Sequence, residues 1–144
     1  MELSRLAQRP PITVPEDAFV MEAVRVMVEH RLGAVIVCDG PRLRGIFTER
    51  DVMKKVVLHG MDPHRTHMQE VMTRDVKQIA ESASRHEAME MMSDNHIRHL
   101  PVIDPAGEVV GVISLRDILY DMVDDLEQQA AGLQSYMGFD GPGG

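Results

Sequence analysis

Tryptophan is absent from this chain, aromatic residues make up only 3% of it, and Cys38 is its single cysteine. With so few flat rings, there is little on which single-stranded bases could stack. One cysteine excludes an intrachain disulfide. Its place in the apolar run Ala34-Val-Ile-Val-Cys38 reads as a small buried hydrophobe, not a reactive thiol. Basic excess is also missing: 15 Lys and Arg against 23 Asp and Glu leave a formal charge of −8. That balance argues against a nucleic-acid surface or a face for anionic membranes. No apolar run approaches the roughly 20 residues needed to cross a bilayer, and the N-terminus lacks a charged-then-apolar leader pattern. The expectation is a soluble, cytoplasmic protein without nucleic-acid or membrane partners.

Catalytic signatures are missing too. There is no Gly-x-x-x-x-Gly-Lys-[Ser/Thr] loop, no Gly-x-Ser-x-Gly, and no nucleophile with an evident base. His59, His64 and His67 match no compact zinc spacing, so neither a metal nor an enzyme is expected. The 12 methionines read as adaptable core filling.

What the chain does have is a repeat. Gly45-Ile-Phe-Thr48-Glu-Arg-Asp51 returns as Gly111-Val-Ile-Ser114-Leu-Arg-Asp117, each position displaced by 66 residues. Upstream, Ala23, Met27, Val37 and Asp39 return as Ala88, Met92, Val102 and Asp104, displaced by 65. The slip falls where Asp39-Gly-Pro-Arg42 faces the longer Asp104-Pro-Ala-Gly-Glu108, which marks a turn. At 144 residues the chain can bury roughly 68–70% of its unfolded surface, whereas a free 60-residue half would be marginal. Two halves packed against each other follow, and a site between them would occur twice.

Periodicity fills in the elements. Residues 1–11 are polar, end in Pro10-Pro11 and read as an extended lead-in. Residues 12–60 form the first repeat: a short strand at Ile12–Val14, then a helix with Ala23, Val24, Met27 and Val28 inward, ended by Gly33. Strands Ala34–Cys38 and Leu43–Phe47 and a helix from Thr48 to about His59 complete it. A connector spans 61–75, with a turn or two of helix at His67–Met72. The second repeat, 76–120, has a strand at Val76–Ile79, a helix at Ser84–Asn95, and strands at His99–Ile103 and Glu108–Ile113. A last helix runs from Leu115 to about Tyr136, so 121–137 extends beyond the repeat, and 138–144 reads as a disordered tail. Each half is β-α-β-β-α, an α+β (α/β) arrangement with helices on one face of a small sheet.

The most specific motif is the pair Thr48-x-x-Asp51 and Ser114-x-x-Asp117 at strand-to-helix junctions. One reading is a capping box. The other is a nucleotide site, with amides and hydroxyl toward phosphate and the carboxylate toward the ribose hydroxyls. Capping boxes favour Glu or Gln where both copies have Asp. The glycine three residues before each hydroxyl admits close approach of another backbone or a ligand.

The repeated unit resembles the cystathionine-β-synthase (CBS) domain, and the chain resembles a tandem CBS pair, or Bateman module. The likeness covers about residues 8–120 and is carried by Ala23, Met27 and Gly45–Asp51. In the second copy it is carried by Val71-Met-Thr73, Ala88, Met92, His99-Leu-Pro-Val102 and Gly111–Asp117. It implies two pseudo-twofold-related repeats packed sheet to sheet. Two clefts between them would bind adenine nucleotides or related adenosyl ligands: AMP, ADP, ATP, NAD or S-adenosylmethionine. Thr48 and Asp51 would then serve one cleft, Ser114 and Asp117 the other. Backbone contacts to the base would come from Thr13 and Val14 and from Lys77 and Gln78, each cleft joining one half's Asp to the other half's first strand. Arg98 and His99 stand where the first half has Gly33 and Ala34, which favours the Asp51 cleft for phosphate. Arg50 and Arg116 read as solvated partners of nearby acids.

The function this implies is a regulatory ligand sensor, with the nucleotide as regulatory ligand and no required cofactor. Output would pass through a homodimer or an unidentified regulated protein. The alternative is a ligand-free interaction or scaffold dimer with vestigial clefts.

Overall fold

The computed structural model describes residues 2–137, excepting the side chains of Glu2, Ser4 and residues 135–137. The tail expected at 138–144 lies outside the described residues. The first half comprises β1 (Thr13–Val14), α2 (Val20–His30), β2 (Ala34–Asp39), β3 (Arg42–Thr48) and α3 (Glu49–Asp51), preceded by α1 (Glu2–Leu6). The chain after α3 winds through wider π turns at Val52–Val57, where Leu58 N–H donates to the Met53 carbonyl at 2.9 Å. An unbroken α-helix was expected there.

After the short α4 (Met68–Val71) the second half repeats the order: β4 (Ile79–Ala80), α5 (Arg85–Asn95), β5 (His99–Ile103), β6 (Val109–Ser114) and α6 (Leu115–Met137). β4 begins three residues later than expected. Each half holds a three-stranded sheet, β1-β2-β3 and β4-β5-β6, with the first pair parallel and the second antiparallel. Val14 faces Val37 and Ile79 faces Val102, so the register repeats with the sequence. A bulge recurs at Val37/Cys38 and at Val102/Ile103.

Val35 and Val37 point into their own half's core with Ala23, Met27 and Phe47, as alternation along a strand requires. Ala34, Ile36 and Cys38 point the other way yet are buried, as is Pro101 of β5. The sheets therefore pack face to face, with helices outside. Burial also raises the Cys38 thiol pKa, in keeping with an inert cysteine.

The lead-in is the main correction. Residues 2–6 are helical, and Leu3 is fully buried in the core of the second half with Ile79, Leu100, Ile113 and Ile118. In mirror fashion Met68, Val71 and Met72, which precede the second half, complete the core of the first. Leu3, Leu6, Ala7 and Gln8 correspond to Met68, Val71, Met72 and Thr73 at the same 65-residue displacement, so the repeat starts earlier than its motifs indicate. Each segment adds one antiparallel bridge to the opposite half, Gln8 with Val112 and Thr73 with Ile46. The halves are thus interleaved by their entry segments. Asp121 of α6 fastens one of them by accepting from Arg5 at 3.0 Å and from Arg85 of α5, bonds that hold its carboxyl below the usual range.

Candidate functional site

Both acid motifs close as helix caps. Asp51 N–H donates to Thr48 Oγ1 at 3.1 Å while Thr48 N–H donates to Asp51 Oδ2 at 3.0 Å. The second copy matches, Asp117 N–H to Ser114 Oγ at 3.0 Å and Ser114 N–H to Asp117 Oδ2 at 3.1 Å. The shorter aspartate reaches the cap amide as well as a glutamate would, so Asp in place of Glu does not argue against capping. Nor does the cap use up the acid. Only Oδ2 is engaged in each, and a carboxylate offers about four acceptor positions. Asp51 Oδ1 faces Lys55 Nζ at 3.7 Å.

The glycines admit backbone. A Cβ on Gly45 would stand 2.9 Å from the Thr73 carbonyl oxygen, and one on Gly111 would stand 2.8 Å from that of Gln8. Their small size accommodates the interleaved entry segments.

The caps nevertheless open onto cavities at the seam between the halves. One, of about 330 Å³, is lined by Thr48, Asp51 and Lys54 from the first half and by Asp75, Val76, Lys77, His96, Arg98 and His99 from the connector and second half. Another, of about 1410 Å³, is lined by Ser114, Arg116 and Asp117 with Ile12, Arg31 and Ala34, and extends along the apolar side chains of Val24, Val28, Leu119 and Tyr120. Each acid thus meets the opposite half's entry to its first strand.

The strand residues expected to contact the base are placed unevenly about these two cavities. Thr13 is exposed, Val14 is buried in the core, and neither lines a cavity; Gln78 does not either. Lys77 does, and its counterpart 65 residues earlier is Ile12, which lines the other cavity. Ile12 could have been found by mapping Lys77 through the repeat. Lys54 was readable from its place one helical turn after Asp51. Val76 adjoins Lys77 in the strand expected from the sequence, whereas Asp75 carries no sequence signal, because only the folded connector brings it to the seam.

Charge gathers at the smaller cavity. Lys54, Lys77 and Arg98 make no ion pair among the described residues, although the chain as a whole is acidic. Arg116 lies over the Tyr120 ring at 5.5 Å, an arrangement that ties it to its own helix. Arg98 and His99 were assigned to the Asp51 cleft, but they line both cavities. The His99 ring occupies the seam, 3.1 Å from where a Gly33 Cβ would be. Burial lowers its pKa below the ordinary 6.5, against the pull of Glu49 and Asp117 and with the push of Arg98.

Two further residues mark the cavities. Arg31 and His96, corresponding positions, end α2 and α5 in the left-handed conformation at φ 55° and 54°. Glycine was expected to end the first helix at Gly33; the turn is made earlier, by an arginine. Arg31 lines the larger cavity and His96 the smaller.

The CBS domain family model matches residues 3–58 and 68–124, the two interleaved halves. The chain belongs to the CBS domain family. It is a tandem pair, and the match begins at Leu3, where the entry helix enters the core. Among solved structures, a CBS-domain protein of Burkholderia ambifaria MC40-6 is 38% identical, with a TM-score of 0.77 over 81% of this chain and 85% of that one. A CBS domain protein of Pyrobaculum aerophilum, solved with AMP, is 26% identical, with a TM-score of 0.76 over 86% and 99%. The CBS domain pair of protein MJ0100, solved with 5′-methylthioadenosine and S-adenosyl-L-methionine, is 25% identical, with a TM-score of 0.78 over 87% and 98%. A mitochondrial CBS domain-containing protein of Arabidopsis thaliana is 32% identical over 84% of this chain, which spans 61% of that relative's length. No described helix is long and apolar enough to cross a membrane.

Proposed function

We propose that this CBS pair is a regulatory module whose two seam cavities bind adenosine-containing ligands. The observation that carries the reading is the duplicated Thr/Ser–Asp pair at the mouths of two cavities, each completed by the opposite half. One carboxylate oxygen holds the helix cap, and the other, which in Asp51 also faces Lys55, keeps acceptor positions for a ribose diol. The cations around Asp51 suit a phosphate, and the structural neighbours that carry AMP, 5′-methylthioadenosine and S-adenosyl-L-methionine support the adenosyl class.

Output passes through shape. A ligand spanning the seam favours one arrangement of the halves only by binding it more tightly than another. The receiving surface we infer is a homodimer face, since exposed Met53 and Val57 recur as exposed Leu119 and Val123 at the 66-residue displacement. That duplicated stripe suits an isologous partner.

The rival reading, a ligand-free scaffold dimer, draws on the closed caps, since both motifs have a structural use without any ligand. Thermal denaturation with AMP, 5′-methylthioadenosine and S-adenosyl-L-methionine separates the two. A ligand at 100 times its dissociation constant adds about 2.7 kcal/mol. The gain should shrink in Asp51→Ala and Asp117→Ala. No shift with any adenosyl compound would leave the scaffold reading standing.

A further inference from the structure

Gly33, Glu49, Arg98 and His99 line both cavities. Arg98 is the one fixed cation in that shared wall, exposed and without an ion-pair partner among the described residues. Pseudo-twofold symmetry would supply a second guanidinium on the far side of the seam, but the corresponding residue is Gly33. We propose that the two clefts share Arg98 as a single phosphate-binding guanidinium, so that a phosphorylated ligand in one weakens phosphate binding in the other. This rests on the adenosyl reading above and goes beyond it to the coupling between sites.

The physical argument is one of supply. An arginine fork engages one phosphate well, through paired N–H donors in a plane. A first phosphate that recruits Arg98 neutralises the one fixed cation common to both cavities and places a dianion near the second cleft. The second ligand then meets the Glu49 carboxylate and the first phosphate in the shared wall without Arg98, keeping only the cations of its own cavity, Arg31 and Arg116 in the larger or Arg50, Lys54 and Lys77 in the smaller. A ligand lacking phosphate makes no such demand. Coupling free energies of this kind typically correspond to 5–150-fold changes in affinity and are reciprocal.

AMP and adenosine are titrated by calorimetry into the full chain and into Asp51→Asn and Asp117→Asn, whose amide oxygens can still accept the cap bond. Each background is compared with and without Arg98→Ala. If the guanidinium is shared, Arg98→Ala weakens AMP at least about 5-fold in both single-cleft backgrounds. In the full chain it weakens the first AMP but leaves the second unchanged. Adenosine should show none of these losses. A loss confined to one single-cleft background would assign Arg98 to one cleft and overturn the proposal, as would a second AMP in the full chain that weakens alongside the first. Absence of AMP binding to the unaltered chain would instead overturn the adenosyl reading beneath it. Arg98 is exposed, so its alanine variant should fold; the melting temperature of each protein checks this.

Discussion

Gly45 and Thr73, from different halves of the repeat, approach so closely that a methyl group on the glycine would stand 2.9 Å from the threonine carbonyl oxygen. That oxygen accepts from Ile46 N–H at 3.0 Å, and Thr73 N–H returns a bond to the Ile46 carbonyl at 2.9 Å. The contact sews the connector to β3, and Gly111 with Gln8 does the same for the lead-in and β6.

Gly45→Ala and Gly111→Ala should therefore each destabilise the chain, because the neighbour that must yield is backbone. Overpacking of this kind costs about 1–3 kcal/mol. Thermal denaturation should show falls of roughly 2–4 °C per kcal/mol. Gly132→Ala, whose added methyl would meet no atom within 4 Å, serves as the control. An unchanged melting temperature for Gly45→Ala would mean the bridge is not maintained.

Leu3→Ala should cost about as much as a central core truncation, 2–5 kcal/mol by the usual range for leucine and methionine. Met68→Ala should match it, since both side chains are fully buried at corresponding positions in opposite halves. Urea denaturation measures both. A cost below about 0.5 kcal/mol for Leu3→Ala, as for an ordinary surface change, would show that the entry helix is undocked in solution.

Arg31→Gly and His96→Gly should stabilise the fold, by roughly 1 kcal/mol each, because glycine occupies the left-handed region without the penalty an L side chain carries. The same changes should weaken AMP binding, since both side chains line the cavities. Melting temperature and calorimetric affinity should move in opposite senses for each variant.

His99 sets an acid-side limit on stability. The unfolded ring takes its proton near 6.5, while the buried folded ring has a lowered pKa. The unfolded state therefore binds more protons as pH drops below that value, and stability falls with it. The contribution is whole above about 6.5 and declines through the window from there down to the folded value. Glu49 and Asp117 face the ring and moderate the loss, whereas Arg98 adds to it. Denaturation at pH 7.5 and 5.5 should show a smaller difference for His99→Gln than for the native chain.

The repeat made most of the fold legible. Displacements of 65 and 66 residues placed both sheets, both long helices and both acid motifs, because a periodic apolar pattern dictates which face each element buries. Leu3 was not legible as a core residue, and Ile12 was legible at the site only through its repeat counterpart Lys77. Leu3, Leu6 and Ala7 stand at helical spacing, but three apolar positions just ahead of Pro10 are too few to set a period, and Ile12 precedes a strand of only two residues. Their neighbours are distant in sequence and close only after the halves interleave.

By itself, then, the amino-acid order determined a duplicated β-α-β-β-α chain with an acid and a hydroxyl at matching helix starts. Those features depend on neighbours within a few residues, which local propensity and patterning encode. Only the tertiary structure decided that the entry segments exchange halves, that the glycines admit backbone, and that Arg98 and His99 stand in a wall common to both cavities. Such relations come from long-range packing, where a residue's surroundings are set by a part of the chain some 65 positions away.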